Sequence, residues 1–227
     1  GNIENFIGAA QVPIGIAGPL LVHGEHASGE FYVPLATTEG ALVASYNRGM
    51  RVIHESGGAT VTIAQDHMQR SPAFLFASAR EARDFGLWIN EHIENIRTVA
   101  QGTTSVGMLE GITQFAVGPN LYLRFDYTTG DAAGQNMTSK ATDAACQWIT
   151  SAYPHNVDFI LSGNIDTDKK HSQINTLLSR GKRVIAEVTT TAHTLQNLVG
   201  VSPKDLFRAR QISQAGAFMA GSANNGA

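Results

Sequence analysis

The sequence predicts an α+β protein in which a ferredoxin-like β-α-β-β-α-β unit is inserted into a larger α/β domain. Three observations predict it. Between residues 72 and 162, short apolar runs and two stretches of helical period follow in the order strand, helix, strand, strand, helix, strand. The segments on either side carry strands and helices of their own, which makes the middle unit an insertion. A chain of 227 residues, 43% hydrophobic and 15% charged, is long enough for two cores.

The elements follow in chain order. Residues 8–35 alternate apolar runs with glycine and proline, as in Pro13-Ile14-Gly15-Ile16-Ala17-Gly18-Pro19, and read as short strands with a hairpin tip at His23-Gly24-Glu25-His26. Those two histidines have no third ligand near them in sequence, so a solvated turn is the reading, not a metal site. A helical pattern runs from Thr38 to Ser56 and stops at Gly57-Gly58, and Ala59 to Ala64 reads as a strand. Phe74 to Phe76 form a strand after Pro72. Ser78 and Glu81 then make a capping-box pattern before a helix with apolar positions Phe85, Trp88, Ile89, His92, Ile93 and Ile96. Strands at Val106–Val117 and Leu121–Tyr127 are joined by the turn Gly118-Pro119-Asn120. A second helix spans Asp131 to Tyr153, with Met137, Ala141, Ala145, Trp148 and Ile149 on one face, and Val157–Leu161 closes the unit. Beyond it lie a strand, Arg183–Thr189, and a helix with Ser202 as N-cap, Pro203 at its first position and Asp205 at its third. The expected division is 1–71 for the first part of the larger domain, 72–162 for the insertion and 163–227 for the second part.

Composition removes several function classes. A net charge of −3 speaks against general nucleic-acid binding, and the inserted unit lacks the aromatic pattern of an RNA-binding ferredoxin-like domain. The single cysteine, Cys146, excludes an internal disulfide, suits a reducing, cytoplasmic setting and falls in an apolar helical pattern as a structural thiol. No apolar run approaches the ~20 residues of a membrane span, and no signal-peptide pattern opens the chain. Both ends, Gly1-Asn2-Ile3-Glu4-Asn5 and Asn225-Gly226-Ala227, read as the interior of something longer.

Candidate chemistry sits in a few polar segments. Ala36-Thr37-Thr38-Glu39-Gly40 puts a carboxylate in the first turn of the first helix, where an acid complements the helix dipole by ~0.3–1 kcal/mol. On the same helix Ser45 with Arg48, and Asn47 with Arg51, share sides at spacings of three and four. Such pairs suit phosphate groups, or equally a solvated helix face. Gly130-Asp131-Ala132-Ala133-Gly134-Gln135-Asn136-Met137 opens the second helix of the insertion with small residues, which let an anion approach backbone N–H groups or simply permit close packing. No G-x-G-x-x-G occurs, so a Rossmann site is not expected. Ser162-Gly163-Asn164-Ile165-Asp166-Thr167-Asp168-Lys169-Lys170 follows the last strand of the insertion. It is a loop of two acids and two adjacent lysines at a domain junction, where ligand sites concentrate and a lysine can stabilise a developing oxyanion. An exposed charged loop would look the same.

Taken in order with Glu4-Asn5-Phe6-Ile7-Gly8 and Met219-Ala220-Gly221-Ser222, these segments resemble the signature segments of the hydroxymethylglutaryl-coenzyme A (HMG-CoA) reductase family. The Thr-Thr-Glu-Gly and Asp-Lys-Lys forms resemble its eukaryotic and archaeal class. The resemblance implies NADPH-dependent reduction of HMG-CoA to mevalonate and free coenzyme A by a homodimer or dimer of dimers, with the cofactor on the inserted domain and coenzyme A on the larger one. It implies Glu39 as a catalytic acid, which must be buried to stay protonated, and Lys169 as the stabiliser of the oxyanion. Arg70, Ser162, Asn164, Asp168 and Lys170 match positions that hold the hydroxymethylglutaryl portion. Ser45, Asn47 and Arg48 match the coenzyme A contacts, and Asp131, Gly134, Gln135, Asn136 and Met137 the NADP-binding segment. Two departures stand out. Ser105-Val106 occurs where many relatives place an arginine after the serine. The family's Gly-Gln-Asp aspartate and its late histidine are absent from the 227 residues, and His171 does not match that histidine's motif. A non-catalytic coenzyme A- or nucleotide-binding fragment of the same fold is the alternative class.

Overall fold

The structure, a computed structural model, describes residues 3–220. Gly221 and Ser222 of the closing segment lie outside the described residues. The chain divides into two compact units, one made of residues 1–62 with 184–227 and the other of residues 63–183.

In the first unit, β1 (Ile14–Gly24) and β2 (Ser28–Ala36) form an antiparallel hairpin whose register shifts between Ala17 and Leu20. Gly18 sits in that shift at φ 142°, where a Cβ would fall 2.9 Å from the carbonyl oxygen of Phe31. Helix α1 (Leu42–Glu55) follows and ends at Gly57-Gly58, whose φ angles of 92° and 97° cost an L side chain dearly and glycine nothing. The helix starts later than the sequence pattern suggests. Ala41 adopts the left-handed conformation and the Glu39 N–H donates to Thr37 Oγ1 at 2.9 Å, so Thr37 to Ala41 form a turn and Glu39 stands outside the first helical turn. Strand β3 (Ala59–Arg70) then leaves this unit, with Ala59 to Val61 parallel to β1.

The second unit begins in β3 and continues through β4 (Ala73–Leu75), α2 (Ala79–Glu91), α3 (Ile93–Gln101), β5 (Met108–Val117), β6 (Asn120–Thr128), α4 (Gln135–Ala152), β7 (Asp158–Ile160) and the short α5 (Gln173–Leu178). β6 pairs antiparallel with β5 on one side, and on the other with the end of β3 and with β4; β4 in turn pairs antiparallel with β7. Ser78 caps α2 by accepting the Glu81 N–H at 3.2 Å, while Glu81 Oε2 reaches back to the Ala77 N–H at 3.1 Å; a cap of this kind is worth ~1 kcal/mol. The single helix expected here is two, because His92 breaks the helical geometry at φ −110°, ψ 15°. Helix α4 also starts later than expected. Gly130 and Gly134 are both left-handed, so Asp131 to Ala133 form a turn ahead of it.

The core lies between the helices and one face of the strands. Phe74, Phe85, Ile89, Ile96, Leu123, Phe125, Ala141, Ala145, Cys146 and Ile149 are all buried there. Phe85 packs on Phe74 at 4.9 Å between ring centroids and edge-on against Tyr153 at 4.9 Å. Burying each large side chain of this kind contributes ~1.5–3 kcal/mol. Burial also pushes the Cys146 thiol well above its ordinary range, as suits a structural cysteine.

After β8 (Gly181–Glu187), which pairs with β3, the chain forms α6 (Ala192–Val199) and α7 (Pro203–Met219). Ser202 caps α7 through the Asp205 N–H at 3.1 Å, with Pro203 in its first turn, as the sequence indicates. No helix among the described residues is long and apolar enough to cross a membrane.

Candidate active site

The loop between β7 and α5 is held in an unusual backbone. Asn164, Thr167 and Lys169 have φ angles of 70°, 44° and 58°. Asparagine tolerates this region, but a β-branched threonine there is an outlier, and each strained residue costs ~1–3 kcal/mol unless its surroundings over-determine it. The surroundings do so through a polar network. The Gly163 N–H donates to the Ser71 carbonyl at 2.7 Å. Asp166, almost wholly buried, accepts from Arg70 Nη1 at 3.2 Å. Asp168 accepts on Oδ1 from Arg180 Nη2 at 2.9 Å and on Oδ2 from the side-chain amide of Gln135, the first residue of α4. Asn175 Nδ2 lies 3.3 Å from the Thr167 carbonyl, and the Thr167 and Ser172 hydroxyls share a hydrogen bond of 2.8 Å.

Beneath the loop lies a buried cation. Arg124, in the middle of β6, has no exposed surface; its Nη2 donates to the Ser179 carbonyl at 2.7 Å and its Nη1 pairs with Asp126 at 3.3 Å. Burial pulls its pKa below the ordinary value, against the attraction of Asp126. Asp126 also accepts from the Gln69 amide at 2.8 Å.

Of the residues the sequence singles out, Arg70, Asp168 and Gln135 belong to this network. Ser162, Asn164, Lys169 and Lys170 stand exposed on the same loop, with Lys170 Nζ 3.2 Å from the Asp168 carbonyl. Lys169 makes no hydrogen bond or ion pair among the described residues. Asp166, Arg180, Arg124 and Asn175 went unassigned in the sequence. Arg124 did carry a visible signal, a charge inside the apolar run Leu121–Tyr127, since charges in such a run must be paired, and Asp166 was one of the two acids of the loop.

The start of α4 has no side-chain cap, which leaves the first-turn N–H groups of Gln135, Asn136 and Met137 without intrahelical partners. The small residues Gly130 to Ala133 are exposed beside it, and a Cβ at Gly134 would collide with Thr129. Next to this turn opens a cleft of about 340 Å³ lined by Asp66, His67, Thr129, Asp131, Ala132 and Lys182. Met137 packs against Gly107, and Val106 is exposed.

In the first unit, Asn47 and Arg51 line a second cleft of about 350 Å³ with Gly18, Tyr32 and His54; Asn47 Oδ1 accepts the Gly18 N–H at 2.8 Å. Ser45 and Arg48 lie on the same helix away from that cleft, and Glu39 is exposed. Among the described residues no group of His, Cys, Asp or Glu side chains is arranged to hold a metal ion.

The family model for hydroxymethylglutaryl-coenzyme A reductase matches residues 1–227. The chain belongs to the HMG-CoA reductase family. It is 44% identical over 206 residues to the 3-hydroxy-3-methylglutaryl-coenzyme A reductase of Aeropyrum pernix, a match covering 90% of this chain and 49% of that protein. Identity reaches 49% over 195 residues with the reductase of Methanocaldococcus jannaschii, covering 84% and 48%, and is 38% over 222 residues with reductase 2 of Solanum tuberosum, covering 96% and 36%. A class II HMG-CoA reductase from Streptococcus pneumoniae, solved bound to NADPH in open conformations, shares the fold with a TM-score of 0.68 at 21% identity, over 95% of this chain and 49% of that one. The chain spans about half the length of the curated relatives it matches.

Proposed function

We propose that the intact protein is an HMG-CoA reductase that converts HMG-CoA to mevalonate and free coenzyme A with two molecules of NADPH, and that it resembles the archaeal and eukaryotic class. The observation that carries this reading is the loop at 162–171, whose acids are all engaged while Lys169, on a fixed backbone, has no partner among the described residues. An ammonium so placed suits the oxyanion that develops on the thioester carbonyl, and it acts where charge appears rather than where substrate is merely held. In the first reduction Lys169 holds that oxygen until coenzyme A leaves. In the second, Glu39 donates a proton to the carbonyl oxygen of mevaldehyde. A proton-donating carboxyl needs cover from water, and we assign that cover to assembly as a homodimer or dimer of dimers.

The residues present fit the cofactor. The uncapped N–H groups of Gln135 to Met137, next to exposed glycine and alanine, suit a phosphate-bearing dinucleotide. NADPH, when bound, supplies the hydride equivalents. We therefore assign Asp131, Gly134, Gln135, Asn136 and Met137 to the cofactor, and Arg70, Ser162, Asn164, Asp168 and Lys170 to the hydroxymethylglutaryl group. Ser45, Asn47 and Arg48 are assigned to coenzyme A; the cleft supports the assignment at Asn47 alone. The antiparallel strand arrangement around β6 supports reading residues 72–162 as a ferredoxin-like cofactor domain, inserted between 1–71 and 163–227 of the larger one.

Steady-state kinetics of the intact protein with HMG-CoA test the reading. NADPH is expected to give the higher kcat/KM; Val106, in place of the arginine of many relatives, makes the comparison with NADH informative. No oxidation of either nicotinamide in the presence of HMG-CoA overturns the proposal.

A further inference from the structure

Arg180 has no place in the chemistry above, yet its guanidinium binds both the 162–171 loop and the neighbouring strand β3. Its Nη1 donates to the Gln69 carbonyl at 3.0 Å, on β3, and to the Asp166 carbonyl at 3.2 Å. Its Nη2 donates to Asp168 Oδ1 at 2.9 Å. One planar guanidinium thus ties the loop to a strand on both sides of Thr167, the residue with the least favourable backbone.

We propose that Arg180 is a positioning residue, which fixes Asp168 and the backbone around it so that Lys169 is presented to the substrate. This rests on the role of Lys169 given above. Thr167 at φ 44° and Lys169 at φ 58° hold conformations that L residues leave when free to do so. Asp168, between them, is anchored on both carboxylate oxygens, by Arg180 and by Gln135. Without Arg180, the buried Gln69 loses a donor to its carbonyl, the Asp166 carbonyl loses another, and Asp168 keeps only Gln135. The two strained residues then relax, and the Cα–Cβ direction of Lys169 turns with them. Lysine cannot stand in for Arg180, because a single ammonium does not span three acceptors on two segments in the way a rigid fork does.

The test uses the intact protein, with wild-type turnover of HMG-CoA as the control for the underlying reading. If the wild type does not reduce HMG-CoA, the proposed function fails while the positioning claim is still decided by hydrogen exchange. Arg180→Ala is expected to raise amide exchange across residues 166–170, whereas Lys169→Ala leaves it unchanged; equal exchange in wild type and Arg180→Ala overturns the proposal. In kinetics, Arg180→Ala is expected to lose about 10²-fold in kcat, the scale of a 1 Å misplacement of a reacting group. Added guanidinium ion should restore part of that loss, and methylammonium should not. Arg180→Lys, whose single ammonium cannot span the three acceptors, should lie closer to alanine than to wild type. In a Lys169→Ala background the Arg180→Ala change should cost little more, because one residue acts through the other. A full, multiplicative loss in that background, or a lower melting temperature with wild-type kcat, shows a purely structural arginine and overturns the proposal.

Discussion

Replacing Arg124 by methionine removes a cation that the second unit has buried completely. Methionine keeps most of the length but none of the donors. The Ser179 carbonyl loses its bond of 2.7 Å, and Asp126 loses its charged partner at 3.3 Å. Hydrogen bonds from charged groups are worth ~1.5–3 kcal/mol each, and removing one partner of a buried ion pair costs ~3–5 kcal/mol. Asp126 is one-fifth exposed and keeps the Gln69 amide, and the methionine is spared the desolvation that lowers the Arg124 pKa. Both facts place the expected loss at the lower end, about 3 kcal/mol. Urea unfolding followed by tryptophan fluorescence measures it cleanly, since the chain's two tryptophans, Trp88 and Trp148, both lie in this unit. The double variant Arg124→Met/Asp126→Asn strands no charge and still accepts from Gln69, so it should recover a measurable part of the loss. A change within about 0.5 kcal/mol for Arg124→Met, the level of an ordinary surface substitution, refutes the reasoning.

Other outcomes follow from the same geometry. Lys169→Ala in the intact protein should lower kcat by ~10²–10³ with little change in KM, while Arg70→Lys should mainly raise KM; near-normal kcat in the Lys169 variant contradicts the assignment. Burial raises the pKa of Cys146 above 9.0 and of Tyr127 above 10.0, so both stay protonated in the fold after the unfolded chain has begun to ionise. The contribution of these two groups to stability should therefore be constant below pH 9 and then fall as pH rises, by at most ~1.4 kcal/mol per pH unit for each group. Cys146→Ala should remove the part of that fall between pH 9 and 10, and an unchanged urea-midpoint profile argues against it. Light scattering of the intact protein should show a dimer or a dimer of dimers, and activity confined to a monomer rules that assembly out.

Much of the second unit could be read from sequence because its signals are local. Ser78 with Glu81 and Gly118-Pro119-Asn120 determine their own geometry, and so does Ser202 with Pro203 in the first unit. The helix starts at Leu42 and Gln135 were misplaced for an equally local reason. A left-handed alanine at 41, and a turn between left-handed glycines at 130 and 134, interrupt patterns whose polarity still looks helical. The break at His92 was hidden because apolar residues continue in period on both sides of it. The network under the loop was invisible for a different reason. Arg124 meets Ser179 across 55 positions and Arg180 meets Gln69 across 111, and no spacing rule reaches that far. Lys169 and Asp168 were found through the family's motif, but what holds them in place was not.

The proposed reduction of a thioester through two hydride transfers is tested most directly by stoichiometry. The intact protein, given limiting HMG-CoA and excess NADPH, should oxidise two nicotinamides for each HMG-CoA consumed, releasing one thiol and one mevalonate. One nicotinamide per substrate with accumulation of an aldehyde, or thiol release without any oxidation, would contradict it.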